Sequence, residues 1–250
     1  MTKTALCVGN NYPGTNAELS GCVNDAYDWS EVLGSLGYDV TLKVEATKSE
    51  VLDRLYAVVG NARYGDRIVF TFSGHGSWIP DQNSDELDRR DEVLCMADFM
   101  EGGLLSDDEL HQVFSHLPFG SGALFLPDSC HSGTVSRMVG NHHSARYLSP
   151  ANFTDMSSEE VQTRELHQPY HPRAKASLIS GCSDSEFSYD AWFDNRANGA
   201  FTRAAIDAYE LGISLNTWFK YIREELPNED FPQTPQLTYA TLYRKYAKAL

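Results

Sequence analysis

The stretch Gly65-Asp66-Arg67-Ile68-Val69-Phe70-Thr71-Phe72-Ser73-Gly74-His75-Gly76 decides how this chain folds. A Gly-Asp turn opens into a run of β-branched and aromatic residues, and the run ends abruptly in Ser-Gly-His-Gly, which reads as a strand feeding a polar, glycine-rich loop. Outward toward the N-terminus, Thr47 or Ser49 can cap a helix carrying Val51, Leu52, Leu55 and Val58. Tyr38 to Val44 alternates as a strand. Val23, Ala26, Trp29, Val32, Leu33 and Leu36 recur at helical spacing until Gly37 supplies a C-cap. Ala5-Leu6-Cys7-Val8-Gly9 reads as a buried first strand.

Toward the C-terminus a long acidic loop comes first. Ser106 with Glu109 three residues on then has the capping-box spacing that opens a helix through Leu110, Val113, Phe114 and Leu117. Ala123 to Leu126 is a further strand. From about Arg137 to Lys175 apolar residues thin out, which reads as a long loop or processing segment from which no core should come. Regular structure resumes with a strand over Ala176 to Ser180, helices over Phe201 to Leu211 and Leu215 to Leu226, and a last strand over Leu237 to Ala240. Strands alternating with helices predict an α/β sandwich with a mostly parallel sheet, its ligand site at the carboxyl ends of the strands.

Composition excludes several classes of function. With 42% hydrophobic and 22% charged residues in 250, the chain is no disordered polymer. No apolar run approaches the ~18 residues of a membrane span, so no membrane partner is expected. A net charge of −15 opposes binding to nucleic acid or anionic lipid. The apolar stretch after Met1-Thr2-Lys3-Thr4 is too short for a secretory signal, and a cytoplasmic protein is expected. The five cysteines, at 7, 22, 95, 130 and 182, are odd in number and form no CxxC pair, so reduced thiols are the default. No sustained heptad urges assembly, and a monomer is expected.

Two predicted strand ends carry chemistry. One is Ser73-Gly74-His75-Gly76; the other is Asp128-Ser129-Cys130-His131-Ser132-Gly133. In a parallel sheet these loops can be neighbours, which would bring His75 to Cys130 as a base beside a nucleophilic thiol. The amides of Gly76 and Cys130 could then donate to an oxyanion, completing an acyl-transfer constellation. His131 adjoins the nucleophile but points away from it on an extended or turning backbone, so His75 is the stronger base. His142, His143, His167 and His171 read as surface residues of the thin segment.

These two motifs, preceded by Gly21-Cys22-Val23-Asn24-Asp25 and followed by Gly199-Ala200-Phe201-Thr202 and Gln233-Thr234-Pro235-Gln236-Leu237, resemble metacaspases, in particular the compact bacterial kind called orthocaspases. The resemblance spans most of the chain. It implies one caspase-like α/β/α domain over residues 1–250: a large-subunit-like part (1–136) with the His/Cys pair, a linker (137–175) and a small-subunit-like part (176–250). It implies cysteine endopeptidase activity on protein or peptide bonds after Arg or Lys. It places pocket acids at Asp25 and Asp128, flanked by Cys22 and Ser73. The position of Asp128, two residues before the thiol, suits a carboxylate that receives a guanidinium. Asp25 alone also reads as a helix N-terminal residue favoured by the macrodipole. A catalytically silent module that uses its acidic loop for cations or a basic partner is the rival reading, opposed by the intact His75 and Cys130.

No cofactor is required by this chemistry. Calcium is the one ion the acidic residues invite: Asp91, Asp107 and Asp108 match three aspartates that bind it in some metacaspases, whereas the remaining acidic position falls near Arg137, a cation. The resemblance further implies self-cleavage in the linker, at Arg146 or Arg164, whose basic side chains suit the pocket.

Overall fold

The computed structural model describes residues 1–80, 90–130, 144–153, 176–183, 186–193, 195–241, 245 and 247–250. Chain order is β1 (Lys3–Gly9), α1 (Cys22–Ser35), β2 (Asp39–Val44), α2 (Lys48–Asn61), β3 (Arg67–Ser73), β4 (Gly76–Pro80), β5 (Arg90–Cys95), β6 (Leu104–Ser106), α3 (Asp107–Ser115) and β7 (Gly122–Asp128). It continues with β8 (Ser144–Ala145), β9 (Ala176–Ser180), β10 (Tyr189–Phe193), β11 (Arg196–Gly199), α4 (Ala200–Asp207), α5 (Leu215–Glu225) and β12 (Gln236–Thr238).

Six strands form the central sheet in the order β12-β9-β7-β3-β1-β2, parallel except for the antiparallel edge strand β12. Successive side chains of its central strands go to opposite faces. Ala5, Cys7, Val69, Leu124 and Leu126 pack under Trp29 and Leu33 of α1, Phe201 of α4 and Trp218 of α5. Leu6, Val8, Ile68, Phe70 and Phe125 pack under Val51 and Leu55 of α2 and Phe114 of α3. The result is the expected α/β/α sandwich, with each fully buried Leu or Phe contributing about 1.5–3 kcal/mol. Local signals set the helix starts: Thr47 and Ser106 both close capping boxes, with Glu50 and Glu109.

The chain winds from β1 outward to β2, then returns to the other side of β1 for β3, β7 and β9. The reversal opens a crevice at the carboxyl ends of these strands. Register lines up Gly9, Ser73 and Asp128 across β1, β3 and β7. His75 and Cys130 each follow two residues after such an end, so both loops leave the sheet at one level.

Two expectations need correction. The acidic stretch was expected to be loop throughout, yet β4, β5 and β6 make a small antiparallel sheet from its flanks, with Val93, Leu94 and Leu105 buried. Residues 137–175 were expected to yield no core, but within them β8 pairs with β10, and Arg146, Leu148 and Pro150 are buried. A charged residue enters the interior here because carboxylates await it, which a reading of local hydropathy does not register. Among the described residues no helix is long and apolar enough to cross a membrane.

Candidate active site

His75 is held by its surroundings in one tautomer. Its Nε2 lies 2.8 Å from the carbonyl of Ala17, an acceptor only, so this nitrogen carries the proton. Nδ1 is thereby left as a bare lone pair, and it has no hydrogen-bond partner. The backbone N–H of His75 donates to the Tyr12 hydroxyl at 2.9 Å, and the two rings lie 5.0 Å apart. Burial lowers the imidazole pKa to about 4, so the ring is neutral at pH 7.

Cys130 is buried where β7 ends. Its Sγ accepts the Ser188 N–H at 2.7 Å and lies 3.4 Å from Ser188 O. It makes no hydrogen bond to His75, so meeting the imidazole requires a rotation of the cysteine side chain. Of the other thiols, burial pushes Cys7 up to about 12 and holds Cys22 and Cys95 well above the ordinary thiol value, which makes them poor nucleophiles.

Beside this pair lies the backbone of residues 144–148. The carbonyl of Arg146 accepts from the N–H of Gly76 at 3.0 Å and from the N–H of Cys130 at 3.1 Å, the two amides expected to face an oxyanion. The Arg146 N–H donates to Ser188 O at 2.9 Å. Gly76 must lack a side chain for this close approach, since a Cβ there would fall 2.0 Å from Cys130 O.

The Arg146 side chain is fully buried. Its Nη2 meets Asp25 Oδ2 at 2.7 Å and Asp190 Oδ1 at 2.9 Å, and its Nη1 meets Asp128 Oδ2 at 3.0 Å. The acids are themselves oriented. Asp25 accepts from Asn198 Nδ2 and the Gly199 N–H, both at 2.9 Å. Asp128 accepts from the Thr202 N–H at 2.9 Å, the Thr202 hydroxyl at 2.8 Å and the Ser188 hydroxyl. Asp190 accepts from the amides of Ser20 and Gly21 at 2.8 and 2.9 Å. Three carboxylates around one guanidinium leave an excess of negative charge, and burial together with Asp128 pushes Asp25 up to about 6 against the pull of Arg146.

The structure thus brings His75, Gly76, Cys130, Asp25 and Asp128 to one cleft. Cys22 and Ser73 are buried there too, without hydrogen bonds to the guanidinium. Asp190, Asn198, Ser188, Thr202 and Ala17 escaped the reading of the sequence. The one local signal was Asp190, a carboxylate inside the short apolar run Tyr189–Phe193. The expectation that no core comes from the linker is wrong for Arg146, whose charge is matched by buried acids. Arg137, Arg164, His131 and the histidines at 142, 143, 167 and 171 lie outside the described residues. Asp91 is buried on β5 and Asp107 and Asp108 open α3; among the described residues no three His, Cys, Asp or Glu side chains gather to hold a metal ion.

An α/β/α sandwich with a thiol and an imidazole at the carboxyl edge of its sheet is the architecture of a caspase-like cysteine peptidase. The caspase-domain model of the peptidase C14 family matches residues 2–247, and the chain belongs to that family. Metacaspase-1 of Cryptococcus neoformans is 28% identical over 94% of this chain and 62% of its own length; Metacaspase-1A of Aspergillus fumigatus is 30% identical over 94% and 68%. The chain therefore spans about two thirds of these relatives. The crystal structure of a Geobacter sulfurreducens protein superposes with a TM-score of 0.76 at 28% identity, covering 100% of this chain and 98% of that one. Caspase-1 from Spodoptera frugiperda shares the fold, with a TM-score of 0.64 at 14% identity over 95% and 88% of the two chains.

Proposed function

We propose that this protein is a cysteine endopeptidase cutting after arginine or lysine, and that its own Arg146–Tyr147 bond is its first substrate. One observation carries the proposal: the Arg146 carbonyl rests on the amides of Gly76 and Cys130 while its guanidinium fills a pocket of three carboxylates. A basic side chain and a carbonyl held this way are what a peptidase requires of a bond about to be cut.

In the reaction, the Cys130 side chain turns from Ser188 toward the carbonyl and gives its proton to His75 Nδ1. The thiolate attacks the Arg146 carbonyl carbon, and the negative oxygen that forms is held by the two amides. The C–N bond to Tyr147 breaks, and His75 returns the proton to the departing amine. Water, deprotonated by His75, then hydrolyses the thioester and frees Cys130. Ala17 O steadies the imidazolium each time it forms. No step calls for a cofactor or for calcium. The products are residues 1–146 and 147–250, held together by a sheet that takes strands from both. Gel electrophoresis of purified protein, with identification of the new N-terminus at Tyr147, tests this; a chain that stays whole and leaves arginine peptides uncut refutes it.

Two further results are expected. A Cβ on Gly199 would lie 2.1 Å from Asp128 Oδ2 and 2.4 Å from Arg146 Nη1. Gly199→Ala should therefore exclude the guanidinium and slow self-cleavage by more than about tenfold, about 1.4 kcal/mol of barrier; an unchanged time course on gels would show that the pocket has room to spare.

The second concerns pH. With arginine bound, Asp25 titrates at about 6, and without the guanidinium it holds its proton more tightly still. Across the window between those values binding must expel a proton, so KM for an arginine peptide rises as pH is lowered toward 6 and levels off below it. His75 must be neutral to act, and its pKa of about 4 keeps kcat intact well below pH 6. Profiles of kcat and KM from pH 4 to 9 check this, and a kcat that halves near 6.5 would contradict it.

A further inference from the structure

The segment in the cleft does not stop at Arg146. The Leu148 N–H donates to Gly76 O at 3.0 Å, Ser77 Oγ donates to Leu148 O at 2.6 Å, and Tyr147 bridges Gly76 in the parallel sense. Residues 147 and 148 thus run as an added strand along β4. Gly76 faces this strand twice: its N–H takes the carbonyl before the cut bond and its C=O takes an amide beyond it. A peptide whose carbonyl sits between the Gly76 and Cys130 amides is therefore led along the same track.

The side chains on that track have built places. The Tyr147 ring lies 6.2 Å from that of Phe187, and Trp78 is buried beneath the Arg90 guanidinium at 4.1 Å. Trp78 stands on β4 two residues beyond Gly76, diagonally across from Tyr147, which bridges Gly76. Leu148 is 6% exposed and joins the buried cluster of Tyr12, Leu19, Cys95 and Phe99. Tyr12 is the same residue that receives the His75 amide, so the place of Leu148 adjoins the support of the catalytic imidazole.

We infer that the cleft selects on both sides of the cut bond, taking an aromatic residue directly after the arginine, against Trp78 and Phe187, and leucine or a similar aliphatic residue next, against Tyr12, Leu19 and Phe99. The substrate class is then an extended Arg-aromatic-aliphatic segment. This rests on the reading of Arg146–Tyr147 as a bond seated for cleavage.

Internally quenched peptides that share every residue through the arginine and continue as Tyr-Leu, Phe-Leu, Asp-Leu or Ala-Ala test it, on the wild-type chain and on Arg146→Gln, whose own segment cannot fill the pocket. Tyr-Leu and Phe-Leu should exceed Ala-Ala and Asp-Leu by at least about tenfold in kcat/KM; a smaller ratio overturns the inference. A peptide with its fluorophore on the arginine carboxyl has no residue beyond the bond and reports the arginine pocket alone. If it is cut while Tyr-Leu gains nothing, only the present inference falls. If neither it nor any quenched peptide is cut, the arginine-peptidase reading falls and takes this inference with it.

Discussion

Cys130→Ala is expected to leave a folded chain that stays whole at Arg146 and cuts arginine peptides at least about 10⁴-fold more slowly than wild type, because nucleophile and base act as a unit. What the substitution removes from the fold is small: the thiol's contacts with Ser188, on the order of 1 kcal/mol. The melting temperature should shift by a few degrees at most. His75→Ala should match it in activity but be the less stable of the two, since it also deprives the buried carbonyl of Ala17 of its donor, a loss of about 1–3 kcal/mol. Gels, thermal melts and an arginine fluorogenic substrate decide the matter together. A Cys130→Ala chain cut at Arg146 at the wild-type rate would mean another protease is at work.

Substitutions in the acid pocket should come next in size. Asp128 takes hydrogen bonds from Ser188, Thr202 and Arg146. Asp128→Asn keeps the shape but turns an amide NH₂ toward donors and removes a charge. Breaking one side of a buried charged pair costs about 2–5 kcal/mol, so kcat/KM for arginine peptides should drop roughly 30- to 4,000-fold. Self-cleavage should slow to match. Arg146→Gln should abolish the cut at this bond, whereas Arg146→Lys should keep it at a reduced rate, because a single ammonium cannot span three carboxylates as a planar guanidinium does. Time courses of the three variants on one gel give the order wild type, then Lys, then Gln. If Arg146→Gln were cut at the same bond as fast as wild type, the buried ion pairs would have no part in selecting it.

The strands and helices around the central sheet were legible because each has a strong local cause. Ile68 to Phe72 could only be a strand, Thr47 and Ser106 carry their capping boxes with them, and Val23 to Leu36 keeps one apolar face. The small sheet of β4, β5 and β6 was missed because β5 and β6 lie within a stretch with eleven acidic residues between 81 and 109, where polarity masks a period of two. Asp190 was missed because its partners, at Gly21 and Arg146, are 169 and 44 residues away.

Short-range patterns and motifs with a chemistry of their own were enough for the layers of the sandwich, its carboxyl edge and the thiol and imidazole there, while Asp25 and Asp128 came from the resemblance of their motifs to metacaspases. Long-range packing was needed to show that Asp190 joins the acids around the guanidinium, that Ala17 O selects the tautomer of His75, and that Arg146 lies buried with its carbonyl on two amides. The physical reason is the cost of burying charge. A guanidinium enters the interior only where distant parts of the chain have already gathered carboxylates to receive it, and no window of neighbouring residues contains that fact.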